Sequence, residues 1–135
     1  GDSPAVAAVV ADCGFAELAQ AAAAGAREHG VPTFLASAVG WLIVLLASLC
    51  VGAPLWTADP IRHVARISPR PLLIIAAGRD AYSPPAEAER RYAAAREPKE
   101  LWLVPEAEHR AVDKARPDAY YARVLWFFDR WMGEV

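Results

Sequence analysis

At 135 residues and a net charge of −2, the chain can bury one hydrophobic core, and it has no Lys/Arg run that would suit a nucleic acid. Its two cysteines, Cys13 and Cys50, are too few for a disulfide framework and lack metal-ligand spacing. The chain opens on Gly1 rather than Met, shows no cleavable leader pattern and no internal repeat, and is expected to be a fragment or processed product. Cytoplasmic and membrane-associated locations both stay open.

Residues 5–11, AVAAVVA, have the length and composition of a strand, with a turn at Cys13-Gly14. Gly1 to Pro4 reads as a loop, so Ser3 is a loop serine. Phe15 to Glu28 is Ala-rich and helical, and Gly30 and Pro32 close it. From Phe34 to Trp56 no residue is charged. About 20 apolar residues can cross a bilayer core, and this stretch could also be a buried helix on the sheet. Gly40, Gly52 and Pro54 should weaken one continuous helix. A span at this point would separate two strands that ought to share a sheet, which weighs against crossing.

Asp59-Pro60 has the pattern of a helix start, with Asp59 as N-cap and Pro60 at the first helical position. His63, on that helix, reads as structural. Leu72-Leu73-Ile74-Ile75 is a fully apolar run emptying into Gly78 and Asp80, the signature of a strand buried on both faces in a parallel sheet. Residues 86–96 form a charged helix whose solvated face is marked by Glu87, Glu89, Arg90 and Arg91. Leu101 to Val104 is a second apolar strand, running into Pro105-Glu106-Ala107-Glu108-His109. Residues 118–131 are an aromatic helix in which Tyr121, Val124, Leu125, Phe128 and Trp131 recur at helical spacing, as a core stripe. The fold class is therefore α/β, about three mainly parallel strands covered by helices. In such sheets functional groups gather beyond the carboxyl ends of the strands. Asp80 and His109 hold that position on consecutive strands, as the acid and base of a catalytic triad would.

The order Asp80, Ser83-Pro84, helix, LWLV strand, PEAEH turn and closing helix resembles the C-terminal half of the α/β-hydrolase family, closest to its esterase and dienelactone-hydrolase-like branches. The resemblance runs from about Ala5 to Met132. It implies Asp80 as the triad acid, His109 as the base, and hydrolysis of a small hydrophobic ester, or an amide or peptide, through an acyl-enzyme without metal or organic cofactor. The family's nucleophile rides a G-x-S-x-G elbow between a strand and a helix. That elbow is missing, and Gly1-Asp2-Ser3-Pro4-Ala5 has no strand before it and an extended run after it. The segment 34–56 then falls where such enzymes insert a lid over the pocket.

Within the chain Cys13 is the alternative nucleophile, because it too leaves the carboxyl end of a strand, and Asp12 is the reserve for Asp80. Relatives carry glycines around the His turn, where Glu106 and Glu108 stand in this chain. Two carboxylates there should raise the pKa of His109 and harm a general base. The chain alone is expected to be inactive. The contrasting reading is a non-enzymatic remnant, touching a membrane through 34–56 or self-associating through the open edge of the 5–11 strand.

Overall fold

The computed structural model of the chain describes residues 5–133; Ser3 lies outside them. Three strands, β1 (Val9–Asp12), β2 (Leu72–Ala77) and β3 (Lys99–Val104), form one parallel sheet in the order β1-β2-β3. Val9 pairs with Leu72, and Leu72 in turn with Lys99. All six residues of β2 are buried, as an unbroken apolar strand between two covered faces must be. Leu73, Ile75 and Ala77 point to one face, where they meet Cys13, Val104, Ala107, Val112 and Phe127. Leu72, Ile74 and Ala76 point to the other, against Val64, Ala88 and Ala95. Each buried Leu or Ile contributes about 1.5–3 kcal/mol.

The first face is closed by α5 (Val112–Ala115) and α6 (Pro117–Met132), the second by α4 (Pro85–Ala94) and by Val64 and Ile67 at the 3-10 turn that follows the short α3 (Pro60–His63). β1 is shorter than the residues 5–11 expected: residues 5–8 stay outside the ladder and the pairing continues instead to Asp12. In α6 the inward residues are Tyr120, Val124, Phe127 and Phe128, whereas Tyr121 and Leu125 are more than half exposed. Apolar side chains occupy two faces of this helix, so spacing alone could not choose the inner one. In α4 the expected solvated face is wrong at Arg91, which is 4% exposed.

The long connection from β1 to β2 holds α1 (Leu18–Glu28) and α2 (Thr33–Val51), packed on each other. Gly40 does not weaken α2. It lets the helices touch, since a Cβ there would stand 2.5 Å from the Ala19 carbonyl oxygen. Gly52, at φ +71, ends the helix in the left-handed conformation that favours glycine. Only Ala36, Gly40, Val44 and Ser48 of α2 are buried; Phe34, Trp41, Leu42, Leu46 and Leu49 are exposed. Asp59 stands at the N-cap position of α3 but caps another helix: its Oδ1 accepts the Leu18 N–H of α1 at 2.8 Å. His63 bonds the Thr57 carbonyl, a local structural contact.

Candidate active site

The ends of β2 and β3 are knitted together before either side chain is placed. The Gly78 N–H donates to the Val104 carbonyl and the Arg79 N–H to that of Ala107, both at 2.8 Å. Gly78 is required for this approach, because a Cβ would lie 2.4 Å from the Pro105 oxygen. Asp80 and His109 follow directly. Asp80 Oδ2 lies 2.8 Å from His109 Nδ1. The other oxygen, Oδ1, accepts the N–H groups of Tyr82 at 2.9 Å and Ser83 at 2.7 Å, an Asx-type turn in which the carboxylate folds its own loop around itself. Asp80 is 4% exposed.

His109 is the opposite case. Its side chain is 32% exposed, its ring packs 5.1 Å from that of Tyr82, and its Nε2 has no hydrogen-bond partner among the described residues. It borders a cavity of about 450 Å³ that is also lined by Glu28, Arg79, Ala81, Tyr82 and Glu108. One ring nitrogen thus faces a buried carboxylate and the other faces open space. With Nδ1 protonated and donating to Asp80, Nε2 becomes a proton acceptor.

The turn expected to need glycines manages without them. Positive φ falls on Arg110, at +53, just after the histidine. The Glu106 carboxylate is turned away to Arg116, whose guanidinium lowers its pKa. Glu108 remains at the cavity wall.

The alternatives are close by but not bonded to His109, and the Arg110 backbone and Asp80 both act on the Cys13 thiol. Cys13, at φ +46, is buried in the core with Ile75, Ala77 and Phe127. Burial first, and then the neighbouring Asp12, push its thiol from the ordinary 9.0 up to about 12, so the thiolate a nucleophile needs is suppressed. Asp12 is exposed and its Oδ2 accepts the Tyr120 hydroxyl at 3.0 Å. No serine, threonine or cysteine is hydrogen-bonded to His109 among the described residues. Nor do any three His, Cys, Asp or Glu side chains among them cluster as metal ligands would.

Two contributors were not legible from spacing. Tyr82 packs at a tilt against the imidazole; only its place two residues past an acid hints at a role. Arg91 buries its guanidinium beside Gly14, its Nη1 2.9 Å from where a Cβ of residue 14 would stand. Its Nε and Nη2 are buried without acceptors.

No protein-family model and no curated protein matches the sequence. Solved structures do. The esterase Pf2001 of Pyrococcus furiosus superposes with a TM-score of 0.72 at 24% identity, covering 98% of this chain and 47% of that one. A hydrolase from Pseudomonas aeruginosa matches with a TM-score of 0.55 at 21% identity, over 90% of this chain and 55% of that one. The α/β hydrolase MGS-M2, from a Medee basin deep-sea metagenome library, gives a TM-score of 0.55 at 19% identity with the same coverage. The chain therefore carries part of the α/β-hydrolase fold and spans about half the length of the structures it matches.

Proposed function

We propose that the chain is the acid–base portion of a serine-hydrolase-type enzyme that cleaves carboxylic esters through an acyl-enzyme. Asp80 fixes the tautomer and orientation of His109, and His109 takes the nucleophile's proton through Nε2 and returns it to the leaving alcohol. The nucleophile, and the amide next to it that would help stabilise the oxyanion, would come from residues outside the chain. The observation that carries this reading is the 2.8 Å contact between a buried Asp80 oxygen and Nδ1 of a histidine whose far nitrogen faces a cavity. The esterase named among the similar structures supports the choice of esters over amides or peptides.

The test is long-range ¹H–¹⁵N NMR of His109 with the ring neutral. Wild type should hold its proton on Nδ1. Asp80→Asn, whose amide can donate to Nδ1, should move the proton to Nε2. Wild type with the proton on Nε2 would sink the assignment.

A second reading has its own observation. α2 is 19 residues long with a mean hydropathy of 2.4, and only 22% of its apolar window is buried, so by length and composition it could cross or lie on a bilayer. No residue of α2 lines the cavity beside His109, so that cavity lends no support to the lid expected of residues 34–56.

A further inference from the structure

On the sheet side the approach to Asp80 is fixed by the Gly78 and Arg79 amides, which donate to the Val104 and Ala107 carbonyls, but its loop has a far end at Ser83. Ser83 is 5% exposed and makes two bonds in different directions. Its N–H donates to Asp80 Oδ1 at 2.7 Å, and its Oγ donates to the Gly14 carbonyl at 2.7 Å, in the turn that follows β1. Gly14 is pinned in turn: the Arg91 guanidinium fills the place a side chain of residue 14 would take, and the next turn is tied to α4 by the Ala16 N–H and Glu87 Oε2 at 3.3 Å. The line Gly14–Ser83–Asp80–His109 thus joins the end of β1 to the imidazole through three hydrogen bonds.

We propose that Ser83 is a positioning residue for the Asp80–His109 pair, acting through its hydroxyl on Gly14. The inference rests on the acid–base reading above and deepens it. Pro84 follows, so the residue at 83 is already biased to extended backbone and its N–H aim depends on where the loop is anchored. Without the hydroxyl the anchor at Gly14 is lost, residue 83 can swing outward, and Oδ1 loses its shorter amide bond. Asp80 then rotates, and the Oδ2 contact with Nδ1 loosens although no group touching His109 has changed. The part-buried Gly14 carbonyl would lose the Ser83 hydroxyl as its donor.

The readout is the exchange rate of the His109 Nδ1 proton with water, measured on the folded chain, beside the denaturation midpoint. Ser83→Ala is expected to speed that exchange about tenfold, and Ser83→Thr, which keeps a hydroxyl, to restore the wild-type rate. A purely structural serine would lower the midpoint in Ser83→Ala and leave the proton's exchange in the folded state within about twofold of wild type; that result overturns the proposal. Should Ser83→Ala not fold, Ser83→Cys fills the same space with a weak donor and is read by the same criterion. If wild type shows no proton on Nδ1, the acid–base reading itself fails. If wild type shows it and Ser83→Ala leaves its exchange unchanged, only the role of Ser83 fails.

Discussion

Arg91 is the least economical residue in the molecule: a buried guanidinium with two nitrogens lacking acceptors, its pKa lowered chiefly by burial. Glu87 offsets this only in part, since a buried charge whose nitrogens lack acceptors still costs stability, and an apolar side chain of similar length removes that cost. Arg91→Met should therefore hold or raise the unfolding free energy measured in urea, by up to about 2 kcal/mol, provided Gly14 is left unchanged. Asp80 behaves in the opposite sense. Asp80→Ala strips the acceptor from two loop amides and from His109, and is expected to cost about 2–4 kcal/mol in urea denaturation. Asp80 and His109 could be picked out by sequence because strand ends are marked by composition. Arg91 could not: a charged helix with alternating Glu and Arg reads as solvated all round its polar face. Only the third dimension reveals which Arg the sheet covers.

The elements were legible in proportion to how singular their patterns are. β2 has one apolar run and one answer, whereas β1 has small residues throughout, and its start slid by four positions and its end by one. Asp59 shows the limit of local rules, since a residue at one helix's start can cap another far along the chain. The α1–α2 pair makes a sharp test of packing. Gly40→Ala puts a methyl group against the Ala19 and Ala23 backbone, at 2.5 and 2.8 Å, and should cost about 1–3 kcal/mol despite Ala's better helix propensity. The β1–α6 contact makes a test of pH. Cys13 ionises at 9.0 when unfolded and about 12 when folded, and burial with the nearby Asp12 moves Tyr120 from 10.0 to about 12. In that interval the folded chain holds protons the unfolded chain has released, so this stabilising contribution is intact below pH 9 and lost as pH rises towards 12. Cys13→Ala and Tyr120→Phe should each flatten the fall of the midpoint with pH; a parallel fall in both would contradict the burial of these groups.

At the scale of the molecule, two surfaces are open. β1 pairs only with β2, leaving its other edge without a strand among the described residues, and α2 exposes most of its apolar circumference. An unpaired edge invites strand addition, and an exposed apolar helix invites a partner or a lipid surface. The parallel sheet and the places of Asp80 and His109 at its strand ends were legible; the part played by residues 34–56 was not, because a lid, a span and a core helix share one composition. Size-exclusion chromatography distinguishes the outcomes, and a stable monomer in detergent-free buffer would count against both pairing and membrane insertion. The most direct test of the whole is hydrolysis of p-nitrophenyl acetate and butyrate by this chain, beside Cys13→Ala. On the proposed reading, in which the chain supplies Asp80 and His109 but not the nucleophile, turnover should not exceed buffer. Turnover abolished by Cys13→Ala would make the buried thiol the nucleophile, and turnover surviving it would turn attention to Ser3; either result would contradict the reading of an acid–base portion that lacks its nucleophile.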